Sequence, residues 1–443
     1  MFWANFLHIY QPPTQTKAIL ERVVNESYRR IIAELKKAPD DKLTLNIPAC
    51  LTELLDRYGF GDVIDDLRGL LERGQIEMTG SAKYHPLLPK IPKNEAIRQI
   101  RLDLETNRHY FGEHYNPRGF FPPEAAYDRG IAQIVADLGF EWILVEELSY
   151  NGQFGAVKYN RTYEIEGIPL KVFFRERESS FKILSGQLGT IKLFEDYLAD
   201  RLSRNEYLLT AMDGETFGHH RPGMEKLLFE IYKSDKIPTV TISQLLELFP
   251  ETETVKTIPS TWALMEKDIE KNAPFSRWDD PDNEIHQLQW ELTRLAIEAG
   301  SEKNSPARPL LDKSLHSDQY WWASARPWWS LEMIERGANE LEDAVLASDA
   351  SEEDKKKARE LYYRIITLGF EWQRTGKVEE MARQEDEEVR ERTDEGLPKL
   401  PVEEIDKMIA NIRKEMLEVA EKQEYERAAQ LRDRIKELGE YKK

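Results

Sequence analysis

The chain has 443 residues, 40% apolar and 32% charged, and its 81 acidic side chains outnumber 62 basic ones for a net charge of −19. That composition supports a large core, excludes a disordered chain, and disfavours binding to nucleic-acid phosphates. The lone cysteine, Cys50, excludes an internal disulfide and a thiolate metal cage, as suits a reducing compartment.

The opening stretch MFWANFLHIYQPP has neither a basic segment nor a small-residue cleavage site, so no secretory leader is expected. No run of about 18 apolar residues occurs, so no membrane span is expected either, and a cytoplasmic location is. Strands are predicted over 2–7, 43–47, 76–79, 119–121, 142–145, 170–174, 207–212 and 238–242, with amphipathic helical stretches between them such as 16–37 and 94–110. Apolar strands alternating with helices predict an α/β fold of parallel strands, and seven or eight such units predict a TIM-like barrel rather than an open sheet.

Most of these apolar runs end in ionisable or strongly polar residues: His8 and Gln11, Glu77, Glu124, Glu146, Arg175, and then Asp213 and Glu215. In a parallel barrel these ends share one face, where active sites are built. From about residue 261 strand patterns stop, and helices are predicted over 284–298, 329–348 and 351–374. The charged stretch 383–400 reads as a solvated linker, and 402–438 is a last amphipathic helical unit. The domain organisation expected is therefore a barrel over 1–260, a helical bundle over 261–382, a linker over 383–401 and a helical hairpin over 402–443.

Two segments suggest chemistry. FFPPEAAYD carries Glu124 on a stem stiffened by two prolines, and MDGETFGHH carries Asp213 at the end of an apolar run beside a glycine. Two carboxylates converging from different strands suit glycoside chemistry, one ionised and one holding a proton. Trp321, Trp322, Trp328 and Trp329 cluster in HSDQYWWASARPWW beside His316 and Asp318, and indole faces stack on sugar rings as readily as on each other.

No HExxH, GxGxxG, GxxxxGK[ST] or GxSxG pattern occurs, so no cofactor and no metal is expected. Two other readings stay open: a zinc held by His8, Asp213 and His219, as in metal-dependent deacetylases of similar shape, and a non-catalytic glucan-binding or scaffold protein.

HIYQP, GQIE followed by YHPLLP, FFPPEAAYD, MDGETFG and HSDQYWW resemble, in order, five signature regions of glycoside hydrolase family 57. The resemblance covers residues 1–380 and implies an incomplete (β/α)7 barrel with a helical bundle closing the cleft. It implies retaining activity on an α-glucan or maltooligosaccharide, of the α-amylase, amylopullulanase, 4-α-glucanotransferase or branching type. It also implies Glu124 as nucleophile and Asp213 as acid/base, with His8, Gln11, Glu77, His85 and Glu215 around the sugar. Here two residues separate His8 from Gln11, where the family has HQP. Trp321 and Trp322 are expected to contact the sugar. The tail from Ile405 to Leu438 is similar to the UVR motif, with Met416, Leu417, Tyr425, Ala428, Ala429, Leu431 and Ile435 expected along its apolar seam. That similarity implies a protein partner or self-association through 402–438, not nucleic-acid chemistry.

Overall fold

Strand β1 (Phe2–His8) is buried on both faces and largely apolar, as a strand covered on both sides must be. The computed structural model describes residues 1–302, 305–326, 328–384 and 401–440. In it β1 pairs in parallel with β2 (Leu43–Asn46) on one side and with β8 (Tyr207–Asp213) on the other. Strand β3 (Ile76–Thr79) continues beyond β2. A second sheet runs β4 (Gly119–Phe120), β5 (Trp142–Glu146), β7 (Lys171–Arg175), β6 (Thr162–Ile165) and β9 (Thr252–Val255). A parallel bridge from Gly80 to Phe120 joins β3 to β4. The parallel strands therefore follow one another in the order β8, β1, β2, β3, β4, β5, β7. Among the described residues β7 and β8 share no ladder, and a backbone hydrogen bond from Glu176 N–H to the Leu209 carbonyl at 2.7 Å reaches across.

Seven of the eight predicted strands form. The eighth, 238–242, does not: it contributes only an isolated bridge between Thr239 and Trp3. The reason is that β2 covers β1 only from Phe6 onward, leaving Trp3 open for one pair of backbone hydrogen bonds with 238–240. Thr241 then caps the helix Ile242–Leu248 through a capping box with Gln244, which turns the chain out of the sheet. Strands β6 and β9 are unpredicted; β9 is polar and mostly exposed, and β6 pairs antiparallel with β7.

The helices Glu284–Gly300, Leu331–Leu346 and Glu352–Thr375 pack together beyond the sheets and share an apolar cluster with β4, β5 and β7. Helices Val402–Glu421 and Tyr425–Glu440 pack on each other and bury Ile405, Met408, Ile412 and Leu431 in the other cluster, with Leu208, Met224 and Leu228. Leu417 and Tyr425, expected in that apolar seam, instead face outward. Residues 385–400 of the expected linker lie outside the described residues. Among the described residues no helix is long and apolar enough to cross a membrane.

Candidate active site

β1 and β8 run in step from Phe2 opposite Tyr207 to His8 opposite Asp213, so both strands end together. Asp213 is the last residue of β8, and no hydrogen bond to its carboxyl comes from the described residues. Burial raises its pKa to about 6 against the opposing charge of Arg175, the last residue of β7.

Glu124 arrives from the opposite side. It sits in a one-turn 3-10 helix after Pro122 and Pro123, with φ of 60° at Glu124 and 47° at Ala125, a conformation that costs non-glycine residues energy and is held by its surroundings. The holding contacts are backbone hydrogen bonds. Tyr127 and Ser260 exchange a pair at 2.8 and 3.0 Å, and Trp262 N–H reaches the Glu124 carbonyl at 3.1 Å. The side chain is equally fixed: Ser317 Oγ donates to Oε1 at 2.9 Å and Trp262 Nε1 donates to Oε2 at 3.0 Å. Burial, then the charge of Asp318, then that of Asp213 push its pKa to about 8.

Two histidines lie beneath it. His8 sets Nδ1 2.7 Å from Asn46 Oδ1 and Nε2 3.1 Å from His85 Nε2, while His85 Nδ1 is 3.0 Å from Ser317 Oγ. Burial lowers His8 to about 4 and holds His85 well below the ordinary histidine range, so both rings are neutral near pH 7. Tyr10 stacks on His85 at 4.0 Å between centroids, and its hydroxyl donates to Asp318 Oδ2 at 2.6 Å. Burial works against charge on His316, but hydrogen bonds to Asp318 and Glu340 outweigh it and raise His316 to about 9. Asp318 is held below the ordinary range because the same histidine outweighs its own burial.

Glu215 closes the ring. Its Oε1 accepts from Tyr10 N–H at 3.1 Å, from Gln11 Nε2 at 3.5 Å and from the Tyr28 hydroxyl. Burial and the Asp213 charge raise it to about 8.

The fold thus assembles His8, Gln11, His85, Glu124, Asp213 and Glu215. It does not bring Glu77 to them. Glu77 lies two residues before the end of β3, where its carboxylate accepts from Ser243 N–H at 3.1 Å, from the Ser243 hydroxyl and from Thr44 at 3.4 Å. Trp321 lies tilted against Trp278 at 5.1 Å between centroids and Trp322 meets Trp328 at 6.0 Å, so both rings pack against other indoles. The indole on the candidate nucleophile is Trp262, an isolated tryptophan whose role nothing in the local sequence signals. Tyr10, Tyr28, Asn46 and Ser317 are likewise site residues that sequence reasoning passed over, although Tyr10 lies inside HIYQP and Ser317 inside HSDQYWW. The trio His8, Asp213 and His219 is not assembled as a metal site, because both His8 nitrogens and Nδ1 of His219 already have side-chain partners. Among the described residues no group of three or more His, Cys, Asp or Glu is arranged to hold a metal.

Comparison with known proteins points the same way. The model of glycosyl hydrolase family 57 matches residues 4–258, and the UvrB/uvrC motif matches 406–441. The chain is 24% identical over 257 residues to an α-amylase of Pyrococcus horikoshii, a match covering 55% of this chain and 40% of that protein. It is 26% identical over 144 residues to a 4-α-glucanotransferase of Thermococcus litoralis, covering 32% and 21%. The chain therefore spans less than half the length of these relatives. In fold it is similar to the crystal structure of the T. litoralis 4-α-glucanotransferase (TM-score 0.60, 20% identity, 78% of this chain and 60% of that one). It is also similar to a branching enzyme of Pyrococcus horikoshii (TM-score 0.59, 17% identity, 83% and 96%). With the family model spanning more than half of its residues, the chain belongs to glycosyl hydrolase family 57.

Proposed function

We propose that the chain acts on α-glucans by a retaining double displacement, with Glu124 as nucleophile and Asp213 as acid/base. One observation carries the assignment: Glu124 receives two donors on its two oxygens, whereas Asp213 presents a half-buried carboxyl to which no described side chain donates. Donors on both oxygens stabilise the carboxylate form that attacks, whereas a carboxyl with no such donors is free to protonate a leaving oxygen.

In the reaction the Glu124 carboxylate attacks the anomeric carbon while Asp213 gives its proton to the glycosidic oxygen. Asp213 then takes a proton from water, or from a sugar hydroxyl in transfer, as that oxygen attacks the glycosyl–enzyme bond and Glu124 leaves as carboxylate. With pKa values near 8 and 6 the two carboxyls hold one proton between them around neutral pH. In the free site burial leaves that proton mostly on Glu124. A glycosidic oxygen accepting from Asp213 favours the reacting arrangement, while Ser317 and Trp262 keep donating to Glu124.

His8, His85, Gln11 and Glu215 shape the sugar site on this reading. We read the seven parallel strands within 1–260 as an incomplete (β/α)7 barrel, and 261–382 as a bundle closing its cleft. Trp262 and Ser317 support that reading, since both come from beyond residue 260 and donate to Glu124. The α-amylase and 4-α-glucanotransferase names of relatives support the substrate class. Incubation of the full chain with a maltooligosaccharide, followed by proton NMR of the first-formed products, tests it. The α-anomer is expected first from the wild type, and no product from Glu124→Gln. Turnover by that variant would remove the nucleophile assignment.

A further inference from the structure

We propose that the C-terminal helical pair positions the loop following Asp213, with Arg427 as the residue through which it acts; this rests on the reading of Asp213 as acid/base. The loop 214–219 lies flush on the π-helical turn Val24–Tyr28, a local widening of the helix often found at functional sites. A Cβ on Gly218, which has φ of +113°, would stand 2.0 Å from the Glu26 carbonyl oxygen, so only glycine permits this approach.

The turn then grips the loop at three points. Ser27 Oγ donates to the Gly214 carbonyl at 3.0 Å, the Tyr28 hydroxyl donates to Glu215, and the Glu26 carboxylate lies 2.5 Å from His219 Nδ1. Glu26 is the link to the tail. Its Oε2, which faces His219, is also 3.8 Å from Nη1 of Arg427, a residue only 4% exposed. Arg427 Nη2 donates to Glu415 at 3.1 Å, Glu415 accepts from Arg30 at 2.5 Å, and Arg30 reaches Glu225 at 2.9 Å. The network ends where it began, because Glu225 Oε2 lies over Gly218, 3.6 Å from where a Cβ would be.

Buried ion pairs add little net stability, but removing one partner strands the other charge, so they fix how two packed pieces register. Glu26 also faces Arg22 Nε of its own helix at 3.8 Å, so docking of the helical pair supplies the second cation that sets where Glu26 stands, and Glu26 sets where His219 holds the end of the loop. The apolar side of the UVR-like tail serves this intramolecular docking, with Met408 packed on Gly189 and Ile412 on Gly223.

The test uses the full-length chain. Arg427→Met keeps the stem and removes the charge, and backbone amides of 214–220 are expected to exchange hydrogen about tenfold faster by mass spectrometry. On a maltooligosaccharide kcat is expected to fall about tenfold with KM within about twofold, since a misplaced catalytic group costs rate more than binding. Arg427→Lys should recover most of both effects, and Leu417→Ala, on the outward side, should change neither. Should R427M not fold, Glu26→Gln carries the same two measurements. Unchanged exchange and kcat, or faster exchange spread evenly over the chain, would overturn the proposal. A chain that converts no α-glucan, yet whose 214–220 amides respond to R427M, would remove the glucan reading and leave this coupling standing.

Discussion

His8 and Asp213 are register partners at the carboxyl ends of β1 and β8. Seven consecutive pairs, beginning with Phe2 and Tyr207, deliver them together, so the position of Asp213 is built into a buried ladder rather than a loose loop. Asp213→Asn preserves that ladder and removes the proton. Its kcat on maltooligosaccharides is expected to fall by about 10²–10⁴. A dinitrophenyl glycoside, whose leaving group departs without protonation, should suffer a much smaller loss in the step that forms the glycosyl–enzyme. Equal losses on both substrates, measured by single-turnover kinetics, would show that Asp213 is not the acid.

Glu124→Gln should trade activity for stability. The wild-type carboxyl has its pKa raised from 4.5 to about 8, chiefly by burial, so the folded chain binds a proton more tightly than the unfolded one across that window. Its stability contribution is complete below about 4.5 and is lost as pH climbs through about 8. Glutamine has no charge to bury. The melting temperature of E124Q should match wild type near pH 5 and exceed it increasingly toward pH 9, with turnover abolished throughout. A variant whose melting point falls below wild type at high pH would show that Glu124 is not a strained, buried acid.

Much of this arrangement is legible in the order of the residues, and the exceptions have physical causes. Apolar runs with polar ends locate β1, β2, β3, β5, β7 and β8, because a strand buried on both faces leaves no alternative pattern. The run at 238–242 carries the same apolar signal, but its fate depends on how much of β1 the distant β2 leaves uncovered, which no local window contains. Glu77 misleads in a similar way. It follows an apolar residue, yet it stands two residues short of the strand end and is engaged by Ser243, 166 positions away. Trp262 is invisible for the converse reason, since its value lies in an N–H brought to Glu124 across 138 positions.

Trp262→Phe keeps the ring and deletes that N–H. A hydrogen bond to an ionised group contributes about 1.5–3 kcal/mol, and here it favours the charged form of Glu124, the proposed nucleophile. The variant should lose about 10- to 100-fold in kcat/KM, mostly in kcat, while its fold and sugar binding stay near wild type. Binding of a maltooligosaccharide by calorimetry, in an E124Q background where nothing turns over, separates the two. A loss confined to binding would make Trp262 a sugar platform rather than a support for Glu124.

The paired carboxyls also dictate the pH profile. On the proposed mechanism turnover needs one proton shared by Glu124 and Asp213, so kcat/KM should rise through about 6 as the pair loses its first proton and fall through about 8 as it loses the second. Both limbs belong to the pair, so changing either residue must disturb both. In D213N the residual rate on the dinitrophenyl substrate should lose its alkaline limb, because no acid is then required, and should keep a single rise as Glu124 ionises. That rise should fall below about 8, since the Asp213 charge that helps hold Glu124 up is gone. His8 and His85, both lowered by burial, titrate too far down to mimic this profile, while His316, raised to about 9, would contribute only beyond its alkaline edge. An alkaline limb that persists unchanged in D213N would assign it to a group outside the pair.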